Sequence, residues 1–350
     1  MPADERMYFI QNMEALKDED VDSIVFEFEV IADAHIVGEC TYGPYYFTVW
    51  EPPKSEGEER KLCLRVPHKV GFWGDESNRG SFYHGGGIAD ELVALASLFF
   101  RRRFKLGPIV RINDEPRYIT KDGQRFIDSP LISGSSNLQE LSNWLKLVER
   151  LNSKYHQKFI LAVRFYHQAL LLIEEQPDLA YLNLVSAIES LCQDTDIGEV
   201  RLSELDEGLA KLVNSIENEN LRNKIEQAIL KRERFHKRKF VTFILNHMEE
   251  SFWTEEGRPE VGRIRPEDLP DILKRIYDQR SRTLHNGEPF PPTVFSPPTY
   301  YEEEIPFSLS VTHMGRKWER KEFIPHPHFF ERLVNHVLKT FLKRNQTEGQ

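Results

Sequence analysis

The hydrophobic period of this chain changes near residue 137, and that change constrains the fold more than any other feature. Upstream, Val21–Ile31 (VDSIVFEFEVI) sets Phe26, Phe28 and Val30 against Glu27 and Glu29, the two-residue alternation of a half-buried strand. Ile36–Trp50 is rich in Val, Tyr, Phe and Thr around a Gly43-Pro44 turn, which predicts a hairpin or two strands. Lys61–Val66 reads as another strand, and the polar Glu51–Arg60 as the loop before it. Ser81–Gly87 (SFYHGGG) leads into Ile88–Arg103, where Leu92, Ala94, Leu95, Leu98 and Phe99 predict a buried helix; Gly107–Arg117 then returns to a short extended pattern. Strands around one helix make residues 1–137 an expected α+β domain. The glycine- and serine-rich Ser129–Asn137 (SPLISGSSN) is its expected boundary.

Downstream, apolar residues recur every three to four positions. This spacing predicts helices over Leu138–Leu151, Tyr155–Glu175, Leu179–Gln193, Ser203–Ile216, Asn220–Glu233 and Phe240–Met248. Gln176-Pro177-Asp178 breaks the second, with Asp178 as the expected cap of the third. Pro266 opens a further helix running through Leu284, which Asn286-Gly287 ends, glycine being favoured just past a helix. A proline-rich loop (Phe290–Tyr300), a hairpin within Ser308–Ile324 turning at Met314-Gly315, and an amphipathic helix over Phe329–Lys343 complete the chain. The expected architecture is thus an α+β N-terminal domain followed by an all-α helical bundle over residues 138–350.

The chain has 350 residues, enough for about two domains. Its three cysteines (Cys40, Cys63, Cys192) form no C-x-x-C pair, which argues against a disulfide framework or zinc knuckle and fits a reducing compartment. The acidic start lacks the basic and apolar regions of a signal peptide. Every apolar run falls well short of the roughly 20 residues that span a bilayer. The expectation is a cytoplasmic protein without membrane contact. A net charge of −10 does not favour a protein that coats nucleic acid. Four basic clusters stand out nonetheless: Arg101–Lys105, Lys231–Lys239, the Lys274/Arg275/Arg280/Arg282 group and Arg316–Lys321. The plain reading is solvated faces balanced by nearby acids, and together they leave room for a local positive groove.

Several motifs have plain readings. His84–Gly87 (HGGG) is similar to the oxyanion loop of lipases, but the chain has neither a G-x-S-x-G elbow nor a G-x-x-x-x-G-K-[ST] phosphate loop. A glycine turn into a helix is the expectation. His326 and His328 lack an H-E-x-x-H pairing, and Glu302–Glu304 reads as a solvated run, so neither a metal nor another cofactor is expected. An arginine and a histidine separated by four or five residues occur at Arg79/His84, Arg150/His156, Arg280/His285 and Arg320/His326. Of these, the pair at Arg280 and His285 shares the end of one predicted helix. At about 100° per residue, five steps place them well apart around the axis, so a long arginine stem or a distorted last turn must bring the heads together. The plain alternative is a basic helix end, favoured by the macrodipole.

Ile276–Gly287 (IYDQRSRTLHNG) resembles the second signature of Apea-like HEPN domains: tyrosine, two residues, Arg-Ser, three residues, histidine, a small residue and glycine. Leu182–Leu191 (LNLVSAIESL) resembles the first, an apolar helix with an alanine–aliphatic–Glu–x–Leu core. The resemblance covers roughly residues 138–350. It implies an all-α domain that often dimerises and, in active members, cleaves RNA without a metal. RNA or a nucleotide and a second copy of the chain are therefore the implied partners. Carried over, Arg280 matches the motif arginine, His285 the motif histidine and Glu189 the first-helix acid.

The chemistry suits these types. Arg280 would hold the scissile phosphate bidentately and offset transition-state charge. A histidine at 285 would move the proton of the 2′-hydroxyl or the leaving oxygen, and Glu189 would orient one of them. The plain alternatives are a structural Glu189–Arg280 ion pair and a surface charge at Arg282. The implied function is a metal-independent endoribonuclease in defence or toxin systems. The competing readings are a non-catalytic RNA- or nucleotide-binding module and a structural partner in a larger complex. The N-terminal domain would be a sensor or specificity module, open to a regulatory partner.

Overall fold

The computed structural model describes residues 6–18, 20–33, 35–49, 60–70, 86–116, 135–232, 235–254, 259–296, 303–313 and 315–347. The alternation at the N-terminal end becomes β1 (Ser23–Ala32), the centre of an antiparallel sheet. With β3 (Glu39–Tyr42), β4 (Tyr45–Val49), β5 (Arg60–Lys69), β6 (Phe104–Ile112) and β7 (Glu115–Pro116), it gives the order β3-β4-β5-β1-β6-β7. Register places Phe28 opposite Leu64 and Val30 opposite Leu62. On the other face Glu27 is buried, with Arg65 at 3.0 Å and Arg111 at 3.2 Å. Gly43, at φ +55°, makes the turn between β3 and β4, as expected. The Glu51–Arg60 loop lies outside the described residues except for Arg60.

Two short strands sit apart from this sheet. β2 (His35–Val37) pairs in parallel with β8 (Ser135–Asn137). The expected boundary at Ser129–Asn137 therefore ends in a strand bonded back to the N-terminal region; residues 129–134 lie outside the described set.

Helix α1 (Tyr8–Ala15) has no counterpart in the sequence reading. Its first amides, on Tyr8 and Phe9, donate to the Glu91 carboxylate at 3.0 and 2.8 Å. Glu91 belongs to α2 (Ile88–Phe100). That helix stops three residues before the predicted Arg103, because Arg101 takes the left-handed conformation at φ +53°. For a non-glycine residue this costs about 1–2 kcal/mol, and the contacts it creates offset the cost. The turn sends three consecutive arginines to three places. Arg101 binds Glu331, Arg102 donates to Ser136 Oγ at 2.8 Å, and Arg103 meets Asp33 at 2.8 Å. Arg102 and Arg103 are buried, so this cluster is internal scaffolding and not a solvated face.

The helices that follow are α3 (Gln139–Glu149), α4 (His156–Leu172), α5 (Pro177–Cys192), α6 (Leu202–Leu205), α7 (Glu207–Asn214), α8 (Glu219–Arg232), α9 (His236–Asn246), α10 (Glu250–Trp253), α11 (Leu269–Asn286) and α12 (Pro327–Arg344). Asp178 is not a cap: Gln176 takes that position and Pro177 opens α5. Nor is Ser203–Ile216 one helix, since Asp206 breaks it and caps α7 by accepting from the Leu209 amide at 2.9 Å. The predicted hairpin forms as β9 (Ser310–His313) and β10 (Arg316–Glu319), with Gly315 at φ +80°.

One continuous core joins Val30, Leu62 and Phe104 of the sheet to Leu95 and Leu98 of α2, Phe159 and Val163 of α4, and Leu333 and Leu338 of α12. It runs across residue 137. The architecture is mixed, a sheet region followed mostly by helices. Among the described residues no helix is long and apolar enough to cross a membrane.

Candidate functional site at the α5–α11 contact

Leu269, Ile272, Leu273, Ile276 and Tyr277 form the buried stripe of α11, at the spacing of a helix packed by one face. Arg280 continues this stripe one turn beyond its last apolar residue. On α5, Leu184, Val185, Ile188 and Leu191 are buried and Glu189 lies on the flank. The two helices pack together, so these flanks meet.

Arg280 Nη2 donates to Glu189 Oε2 at 2.7 Å, and the Tyr277 hydroxyl donates to Glu189 Oε1 at 3.0 Å. Each carboxylate oxygen thus has its own donor. The pair is mostly enclosed, with side chains 21% and 17% exposed for Arg280 and Glu189. The guanidinium carbon lies 5.8 Å from the Tyr277 ring centroid. Among the described residues the buried Arg280 Nε has no hydrogen-bond partner. Burial, and then the Glu189 charge, raise the Tyr277 phenol well above its usual range, so it acts as a neutral donor. The same two causes push the Cys192 thiol up to about 12, which removes it as a nucleophile near neutrality.

His285 stands apart from this trio. It is exposed in the last turn of α11, and among the described residues its ring makes no hydrogen bond or ion pair. The helix stays regular through Asn286, and Gly287, at φ +69°, caps it by donating to the Thr283 carbonyl at 3.1 Å. The last turn is therefore not distorted, and the Arg280 head reaches across to α5. The constellation formed within one chain is Glu189, Tyr277 and Arg280.

No protein-family model, curated protein or solved structure matches the chain.

Two contributors carried no assigned role from sequence. Tyr277 lies inside the quoted motif, yet its bond depends on what α5 places opposite. Gln279 is buried, donates to Thr283 Oγ1 at 3.2 Å and the Pro289 carbonyl at 2.9 Å, and accepts from Arg282 Nη2 at 2.8 Å. It fixes the end of α11, and its signal was a polar residue on the buried flank of an otherwise apolar stripe.

Other candidates resolve into scaffolding. Glu303 and Glu304 are buried and not solvated; Glu303 accepts from His326 Nε2 at 3.3 Å and Glu304 pairs with Arg332 at 2.9 Å. Glu302 lies outside the described residues. His328 pairs with Glu174 at 3.0 Å. Among the described residues no group of three or more His, Cys, Asp or Glu side chains is arranged to hold a metal ion. Of the HGGG run, Gly86 and Gly87 are described. A Cβ on Gly86 would fall 1.7 Å from Arg164 Nη1, a flexible side-chain end that can yield, and 2.9 Å from the Asp90 Cβ in the first turn of α2.

Proposed function

We propose that the chain is a metal-independent endoribonuclease of the HEPN type, with its helical part the HEPN-like bundle and its sheet region a sensor or specificity module. The observation that carries this reading is the Glu189–Arg280 contact. Two short motifs 91 residues apart meet at 2.7 Å through their matching charged residues. In this reading Glu189 orients the guanidinium with help from Tyr277, and Arg280 uses its remaining donors to hold the scissile phosphate and offset transition-state charge. His285 moves the proton at the 2′-hydroxyl or the leaving oxygen. Its exposure and its separation from the trio favour completion of the site in a homodimer, where the motif helices of two copies face each other. We place this activity in the cytoplasm.

The test is incubation of purified protein with mixed RNA in EDTA, beside Arg280→Ala and His285→Ala. Cleavage by the wild type, reduced about 10²- to 10³-fold in each variant, is the expected result, the size following from losing one transition-state stabiliser or proton carrier. Equal background from all three proteins refutes the nuclease. RNA retention lost in Arg280→Ala, without cleavage by any protein, assigns a non-catalytic RNA-binding module instead.

A further inference from the structure

The end of α11 and the β9–β10 hairpin form one basic surface. Arg275 Nη1, midway along α11, ties the helix to the turn that follows β10 by donating to the Arg320 and Lys321 carbonyls at 3.3 and 3.2 Å. Across this junction Arg282 Nε lies 3.6 Å and Arg316 Nη1 3.7 Å from the same Glu288 oxygen. Two guanidinium groups thus share one carboxylate. The Arg316 guanidinium carbon lies 3.7 Å from the centroid of the buried Trp318 ring, with Glu322 at 3.2 Å, and Arg282 Nη2 donates to Gln279 Oε1. These cations are fixed in direction yet open to solvent, their side chains 41% and 42% exposed.

Counted over the surface, Arg282, Arg316, Lys317, Arg320 and Lys321 stand against Glu288, Glu319 and Glu322. That is five positive charges against three negative, on a chain whose net charge is −10. Among the described residues neither Lys317 nor Arg320 has a carboxylate partner. Arg320 instead lies 5.3 Å from the ring centroid of Phe307, which is half exposed. Fixed guanidiniums that follow a phosphate backbone, beside an exposed ring on which a base can stack, are the chemistry of single-stranded nucleic-acid binding. A duplex would use the charges and leave the ring idle.

We propose that this junction is the track along which single-stranded RNA reaches His285 at the end of α11, with Arg282 and Arg316 gripping successive phosphates and Phe307 stacking a base. Arg282 stands one turn before His285 on α11, so the track borders the proposed cleavage machinery. The inference rests on the RNA reading above.

The test is fluorescence anisotropy of a short labelled oligouridylate with the full chain in EDTA, over a range of salt. The wild type binds, and Arg282→Ala/Arg316→Ala binds at least ~10-fold more weakly. Its log–log salt slope is shallower by about 1.4, from about 0.7 for each lost phosphate contact on a single strand. Arg282→Lys/Arg316→Lys keeps most of the slope, which separates charge from misfolding. Phe307→Ala weakens single-strand binding and leaves duplex RNA binding unchanged. Absence of wild-type binding, wild-type affinity in the double alanine variant, or a Phe307→Ala variant indistinguishable from wild type overturns the track. RNA bound in this pattern but never cut refutes the nuclease and leaves the track standing. RNA cut normally with binding insensitive to Arg282 and Arg316 refutes the track alone.

Discussion

Removing the Glu331 carboxylate is the sharpest test of how the sheet region is held to the helices. This side chain is 1% exposed on α12. It accepts from Arg101 Nη2 at 2.6 Å and from Arg101 Nε at 3.1 and 3.2 Å, and it also accepts the Tyr166 hydroxyl. Asn335 extends the network, donating to the Tyr166 oxygen at 3.0 Å and to the Leu98 carbonyl of α2 at 2.8 Å. Glu331→Ala leaves an enclosed guanidinium and a fully buried phenol without this acceptor. Removing one partner of a buried ion pair costs about 3–5 kcal/mol, which is the expected loss of unfolding free energy. Glu331→Gln keeps one acceptor oxygen but loses the charge, for about 1.5–3 kcal/mol. Arg101→Met/Glu331→Leu removes both charges and costs less than the sum of its single variants, with a coupling of up to about 3 kcal/mol. Urea unfolding at neutral pH, with the m value monitored, supplies all three numbers. A Glu331→Ala variant within about 1 kcal/mol of wild type, or strict additivity in the cycle, would refute the reasoning.

Two further outcomes follow from buried and backbone features. Burial pushes the His68 imidazole down to about 4, so the unfolded chain binds the proton more readily; His68 contributes stability that is fully present above about 6.5 and lost as pH falls towards 4. His68→Leu should flatten the fall in stability across that window, and an unchanged slope in pH-dependent urea titrations would contradict the assignment. Gly262 and Gly315 both have positive φ, but a Cβ on Gly262 would meet the Ile305 carbonyl oxygen at 2.7 Å, whereas Gly315 has open space. Gly315→Ala should cost only the left-handed strain of about 1–2 kcal/mol, and Gly262→Ala measurably more in the same denaturation assay.

The parts legible in the sequence are those whose cause is local. The alternation in β1, the apolar stripe of α11 and the glycine after Asn286 each set their element from neighbouring residues, and each element forms close to its expected bounds. The arginine run at 101–103 was not legible, because its partners lie 230, 34 and 70 positions away. Three adjacent charges look solvated until the chain turns left-handed at Arg101. Glu303 and Glu304 misled for the same reason, their burial depending on His326 and Arg332. At the candidate site, Glu189 and Arg280 came into view through the resemblance of two short motifs, with an ion pair between them as one of the alternatives left open, and that contact forms at 2.7 Å. The position of His285 followed from helix geometry, while the engagement of Tyr277 required knowing which face of α5 lies opposite.

The carboxylate of Glu91 at the start of α1 carries a consequence for synthesis. A helix of eight residues is too short to persist alone in water, and its stabilising acceptor is encoded more than eighty residues later. As this part of the chain emerges from the ribosome, α1 has no reason to coil until α2 has been made and folded. Helix α1 is thus made before its acceptor and settles late, and in the interval Met7, Phe9 and Ile10, all buried in the finished protein, are left open to whatever the cell offers a nascent chain.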